Sequence, residues 1–185
     1  MRRTGITPRS PRSASPRAAA PVLRSFEPFA DARSRVLVLG TMPGPEALRK
    51  REYYGFAGNH FWRIMIDLFA PGRTLAYPEK IELLRRSRIA VWDVLAACER
   101  AGAADSAIRN AVPTDIPGLL ARRPGIRTIF FNGTTSARLF ARFHGTGIAL
   151  PNFLLPSTSP ANASIPYARK LELWAKVAER AKAPA

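Results

Sequence analysis

Arg35-Val-Leu-Val-Leu-Gly-Thr-Met-Pro-Gly-Pro45 decides the fold. Four consecutive apolar residues, two of them β-branched, end in a glycine and a tight Pro/Gly turn. Such a run is too short for a buried helix and reads as a strand with both faces covered. Three further runs have the same character: Ser87–Val94 (SRIAVWDV), Ile126–Phe131 (IRTIFF) and Asn152–Pro156 (NFLLP). Helical patterns separate them. His60–Phe69 is apolar nearly all round, as a buried helix is. Glu79–Arg88 is amphipathic. Thr134–Phe143 begins at a threonine cap and stops before Gly145. A last helix over 166–182 sets Leu171, Trp174 and Val177 on one face, with Arg169, Lys170, Lys176 and Arg180 on the other. Strands alternating with helices specify βαβ units. The expectation is an α/β fold, a three-layer αβα sandwich around a central four-stranded, mostly parallel sheet.

The chain has 185 residues, the length of one domain. We expect a single domain over 26–185, preceded by a disordered basic arm over 1–25. The arm carries four prolines in its first 21 residues and almost no large apolar group, so it cannot offset its ordering entropy. An Arg- and Ser-rich, acid-free start resembles a transit peptide, but prolines at 8, 11 and 16 oppose the helix such a peptide needs. No apolar core of a secretory signal is present, and the expected location is cytoplasmic. No apolar run reaches the ~20 residues of a membrane-spanning helix. The one cysteine, Cys98, excludes an internal disulfide and four-cysteine metal or cluster sites. Lys and Arg number 29 against 13 Asp and Glu, a net charge of +16. The excess is not confined to the arm: residues 36–185 retain a net +10. Such a charge concentrates polyanions near the surface, so the expected partner is nucleic acid.

In a parallel sheet the ligand lies beyond the carboxyl ends of the strands. Four segments follow those ends: the turn Gly40-Thr41-Met42-Pro43-Gly44, the region of Asp93, Asn132-Gly-Thr-Thr135, and Pro156-Ser-Thr-Ser-Pro-Ala-Asn162. The first is neither a dinucleotide fingerprint nor a P-loop, yet its rigid backbone can present N–H groups to an oxygen. Glu52–Trp62 packs five aromatics, one Asn and one His into eleven residues with two glycines. Flat rings beside flexible backbone suit stacking on a planar base. Phe61 and Trp62 read as core anchors of the following helix, whereas Tyr53 and Tyr54 precede it and line the site.

Taken in order, GTMPG, YYGFAGNHFW, IAVWDVL, IFFNG and LPSTSPANA resemble the uracil-DNA glycosylase superfamily, and within it the hypoxanthine-DNA (deoxyinosine) glycosylase branch, family six. The resemblance runs from about Val36 to the last helix and leaves out the N-terminal arm. It implies base excision without a metal or other cofactor: a deaminated base, hypoxanthine first and uracil second, is flipped out of DNA and its N-glycosidic bond hydrolysed. Superfamily branches that hold an iron–sulfur cluster need four cysteines and are excluded. Many superfamily members carry Asp or Asn at the third position of the first turn. Met42 stands there and can neither accept a proton nor orient water.

The resemblance maps catalysis onto Asn59, whose amide would align a water; the plain alternative is an N-cap of the following helix, and His60 is a second acid–base candidate. Tyr54 takes the base-stacking place, aided by Tyr53, with Gly40, Thr41, Met42, Pro43 and Gly44 beside the base. Asp93 is placed to accept from N1–H of hypoxanthine or N3–H of uracil, or else forms a cap or ion pair. Asn132 contacts base or backbone, or shapes a turn. Pro156, Ser157, Thr158, Ser159, Pro160 and Asn162 form the DNA-binding loop, its hydroxyls offered to phosphate, unless it is a plain surface connection. Arg63, Arg169 and Lys170 are candidate phosphate contacts. A catalytically dead lesion-binding module and a small-molecule binder of the same fold are the rival functions. Monomer is the expected state.

Overall fold

A computed structural model of the protein describes residues 21–145 and 147–183. In chain order its strands are Val22–Arg24 (β1), Val36–Gly40 (β2), Ile89–Asp93 (β3), Leu95–Glu99 (β4), Arg109–Pro113 (β5), Thr128–Asn132 (β6) and Asn152–Leu155 (β7). The helices are Pro45–Lys50 (α1), Phe61–Phe69 (α2), Tyr77–Arg86 (α3), Ile116–Arg122 (α4), Thr134–His144 (α5) and Tyr167–Lys182 (α6). The four apolar runs become one sheet of order β3-β2-β6-β7, and every pairing in it is parallel. All residues of β2, β3 and β6 are buried, as continuous apolar strands in a doubly covered sheet must be.

Side chains alternate across the sheet and divide the core in two. Val36, Val38, Ile89, Val91 and Phe130 face Phe61 and Ile64 of α2, Leu83 and Leu84 of α3, and Trp174 and Val177 of α6. Leu37, Leu39, Ala90, Trp92, Ile129 and Phe131 face Ile116 and Leu119 of α4 and Leu139 and Phe140 of α5. The result is the expected αβα sandwich. None of the described helices is long and apolar enough to cross a membrane.

A second sheet, β1-β4-β5, is antiparallel and was not anticipated. It corrects the arm boundary. Val22–Arg24 pairs with Ala97–Glu99, Ser25 N–H donates to the Ala96 carbonyl at 2.8 Å, and Phe29 bridges to Val91. The chain is therefore built into the fold from residue 22 onward, because β4 would otherwise leave a row of unpaired backbone groups beside the core. The rest of the expected arm, residues 1–20, lies outside the described residues. A smaller correction concerns α5: Gly133, at φ 100°, is its cap rather than Thr134, and the Ser136 hydroxyl donates to the Gly133 carbonyl.

Candidate active site

The sheet brings the ends of β2 and β3 side by side, with Gly40 opposite Asp93. A Cβ on residue 40 would overlap Asp93 Oδ1 and stand 3.2 Å from the Tyr54 hydroxyl. Glycine at this strand end is what lets a carboxyl and a phenol converge over it. Asp93 is only 5% exposed, and its Oδ2 accepts a hydrogen bond from the Ser25 hydroxyl at 2.9 Å. Burial pushes its carboxyl up to about 7, against the opposing pull of that hydrogen bond. Tyr54 holds a left-handed conformation, φ 53°, which is costly for a bulky residue and marks a constrained position. Its ring stacks on Phe61 at 3.9 Å between centroids, and its buried hydroxyl has no hydrogen-bond partner among the described residues. Burial and then the Asp93 charge hold that phenol well above its ordinary value, while the nearby Asn132 amide works the other way.

The Gly40–Gly44 turn has its carbonyls pulled to one side. Gly40 O accepts from Val94 N–H at 3.0 Å and Thr41 O from Leu95 N–H at 3.2 Å. Met42 O and Pro43 O both accept from the Arg100 guanidinium. In a trans peptide the following N–H points the opposite way. The N–H groups of Thr41, Met42 and Gly44 are thus turned away from β4, and none of them donates to another group among the described residues. That arrangement can receive an anion.

Asn59 Oδ1 accepts from Phe61 N–H at 3.0 Å, so the amide holds the first N–H of α2 from one residue before its cap, His60. Among the described residues, one lone pair of that oxygen and both amide hydrogens stay uncommitted. The cleft in front of Asn59 also meets Tyr54, Trp62 and four cations, Lys50, Arg63, Arg73 and Lys80. Its volume of about 430 Å3 is that of a small-ligand site. Tyr54 therefore joins the two halves of the site, its ring beside Asn59 and its hydroxyl beside Asp93.

The second loop is clamped to the sheet. Asn132 Nδ2 donates to Thr158 Oγ1 at 2.9 Å, and Thr158 N–H donates back to Asn132 Oδ1 at 2.8 Å. His60 N–H donates to the Thr158 carbonyl at 2.9 Å, tying the Asn59 segment to the same loop. Trp174 Nε1 holds Pro156 O, and Asn162 Nδ2 holds Ser157 O.

Several sequence-derived roles need correction. Tyr53 is buried in the core, its hydroxyl donating to Glu27 O and its carbonyl accepting from Trp62 Nε1, so its ring does not reach a base. The Met42 side chain packs with Leu37 and Cys98 behind the sheet, and only its backbone faces the site. Thr158 is fully buried, its hydroxyl oxygen accepting from Asn132 Nδ2, and burial removes it as a phosphate contact. Asn132 in turn is a loop clamp. Ser157 and Ser159 are half-buried; each hydroxyl oxygen accepts a backbone N–H and keeps its own proton to donate. Lys170 is 1% exposed and donates to Asn162 O at 2.8 Å, so it braces the loop from behind. Arg63 lies 3.8 Å over the Tyr167 ring and Arg169 pairs with Glu172, both exposed. His60 is held below its ordinary value by burial, then by Lys170 and Arg63, which keeps its ring neutral. Ser25 and Arg100 were missed: one sat in an apparent tail, the other among many arginines, and neither belongs to a motif.

A family model described as the uracil DNA glycosylase superfamily matches residues 27–180. A protein of Methanosarcina acetivorans named hypoxanthine DNA glycosylase is 34% identical over 157 residues, 84% of this chain and 98% of that protein. Its Methanosarcina barkeri counterpart, with the same name, is 30% identical over 158 residues, 85% of this chain and 98% of that one. A solution NMR structure from M. acetivorans, described as a uracil DNA glycosylase, superposes with a TM-score of 0.75 at 33% identity, covering 88% of this chain and 99% of that one. Matches of this length include the Gly40 turn, the Asn59 segment, Asp93 and the Pro156–Asn162 loop together, and the chain belongs to the uracil DNA glycosylase superfamily.

Proposed function

We propose that this protein is a monofunctional DNA glycosylase that flips a deaminated base out of DNA and hydrolyses its N-glycosidic bond, leaving an abasic site. Hypoxanthine is the first substrate and uracil the second. The near full-length match to two proteins named hypoxanthine DNA glycosylase carries this reading. The site supplies parts for each step. Cleavage produces an oxocarbenium-like sugar and an anionic base. The N–H groups of Thr41, Met42 and Gly44 meet the charge on the base. Asp93 meets its polar edge, and Tyr54 stacks on its face. Asn59, its rotamer fixed by the bond to Phe61, aligns water on the sugar. Ser157 and Ser159 donate to backbone phosphates, and the prolines beside them stiffen the loop that fills the vacated stack. The enzyme acts as a monomer without a metal, and its place is cytoplasmic.

The test is single-turnover cleavage of labelled oligonucleotides carrying one hypoxanthine, uracil or xanthine, single- and double-stranded, with EDTA present. Alkali-labile scission at the lesion is expected, fastest at hypoxanthine. Binding without scission on every substrate would leave a lesion-sensing module, with Met42 marking lost chemistry. Absence of salt-dependent DNA affinity would point to a free small molecule instead.

Tyr54→Ala should narrow the preference for damaged over normal DNA by ~1–3 kcal/mol, the range for one base–aromatic stack. Competition binding with and without the lesion measures it. Removing residues 1–20 takes away five arginines. DNA affinity and its salt slope should fall and the single-turnover rate should stay. The cut must stop at 20, since Ser25 touches Asp93.

A further inference from the structure

Arg100 is among the largest fully buried side chains of the described residues, 1% exposed. A buried guanidinium costs several kcal/mol to desolvate unless its partners compensate. Its one charged partner forms a long ion pair. Asp105 Oδ1 stands 3.8 Å away on a side chain that is 37% exposed. The other two are the backbone carbonyls of Met42 and Pro43, and Arg100 Nε has no partner among the described residues. Stability alone does not account for a cation in this place, because an apolar side chain of the same volume would avoid the desolvation.

The carbonyls it holds belong to the turn beyond β2. Thr41, Met42 and Gly44 present their N–H groups on the far side of that turn, and the Pro43–Gly44 peptide is oriented by Arg100 itself. The positive charge sits directly behind the peptide dipoles, in a water-poor layer where charge interactions are strongest. On the reading of the chain as a glycosylase, we propose that Arg100 is a positioning residue for base departure: it locks the Gly40–Gly44 turn with its N–H groups aimed at the leaving base and adds a buried positive charge that stabilises the base anion.

No bond to Arg100 forms or breaks. The C1′–N electron pair leaves with the base, water gives hydroxide to the sugar carbon, and its proton passes to solvent. Arg100 acts only on the energy of the departing anion. A role of that kind depends on the leaving group. Leaving from a neutral base, xanthine gives a more stable anion than hypoxanthine, so at a mildly acidic pH that keeps the base of deoxyxanthosine protonated it needs the assistance less.

The test uses the full chain with Arg100→Met and Arg100→Lys. Single-turnover rates are measured at that mildly acidic pH on hypoxanthine and xanthine DNA, with lesion-DNA affinity and thermal melting in parallel. Arg100→Met should slow hypoxanthine release by about 10²–10³-fold, the range for loss of an oxyanion donor, and xanthine release by at least tenfold less. Arg100→Lys keeps the charge and loses the fork, so it should show the same pattern at smaller size. If Arg100→Met does not fold, the Lys variant alone decides by the ratio of its two losses. Equal losses on both bases would reduce Arg100 to a structural brace and overturn the proposal, as would wild-type rates. A wild-type protein that cleaves none of hypoxanthine, uracil and xanthine would instead defeat the glycosylase reading.

Discussion

Asn59→Ala is expected to lower single-turnover cleavage of hypoxanthine DNA by about 10²–10⁴-fold, the span assigned to a positioned proton-transfer or water-aligning group. Lesion-DNA affinity should stay within a few-fold of wild type. The difficulty is that Asn59 also holds the start of α2, through Oδ1 accepting from Phe61 N–H at 3.0 Å, a bond that does the work of a cap. Losing a cap costs about 0.5–2 kcal/mol of stability, and a loosened α2 would disturb Phe61, on which Tyr54 stacks. Asn59→Ser separates the two roles. Serine caps as well as asparagine but ends one bond short, so it cannot reach the same water. If Asn59 aligns water, the Ser variant melts like wild type and is as slow as Ala. If the cap is all that matters, Ser restores the rate. Asn59→Asp keeps both the cap and an acceptor oxygen and should retain most of the activity that Ser loses.

The pattern of what could be read from the chain follows from which interactions are local. Three strands of the parallel sheet, β2, β3 and β6, announced themselves because both of their faces are buried, which forces a continuous apolar run; the edge strand β7 showed only as the short apolar stretch Phe153–Leu155. The second sheet did not. Leu95–Glu99 is rich in alanine, and its register with Arg109–Pro113 shifts twice. Arg109–Pro113 has an exposed, polar pattern and a left-handed Asn110, φ 47°, all of which look like a loop. Val22–Arg24 is three residues long and gains its structure only from β4. The site divides in the same way. Gly40, Tyr54, Asn59 and Asp93 sit in ordered motifs at strand and helix ends, where topology places a ligand. Ser25 reaches Asp93 across 68 positions, and Arg100 reaches Met42 across 58. Such pairs leave no periodic or spacing signal. Lys170 shows the converse error: helical phase set it with the charged face of α6, but the Pro156–Asn162 loop folds back over that turn and buries it.

Asp93→Asn should change the shape of the pH–rate profile. The carboxyl is buried and pushed up to about 7, so near neutrality it exchanges between acid and carboxylate. Ser25 donates to Oδ2, which leaves the acid's proton on Oδ1, the oxygen that faces Gly40 and Tyr54. In that form Asp93 donates to the carbonyl oxygen of the base while its remaining lone pair accepts from the adjacent N–H. As the base departs, negative charge grows on that carbonyl. A donor then helps, and a carboxylate hinders. The rate on hypoxanthine should therefore fall as pH rises through about 7. Asparagine offers a donor and an acceptor at every pH, so Asp93→Asn should flatten the fall and match or exceed wild type above it. Asp93→Ala should lose about 10–100-fold below pH 7, the equivalent of one hydrogen bond to a charged group, and the deficit should shrink above it. Stability gives an independent check of sign. The folded value lies above the ordinary 3.8, so the folded state holds the extra proton between about 4 and 7, and stability falls with rising pH across that window. Asp93→Asn should remove that fall and raise the melting temperature above pH 7. A wild-type rate that rises through 7 and is flattened by Asn would mean instead that the carboxylate is the working form, accepting from N1–H, and that the N–H groups of the turn must offset its charge unaided.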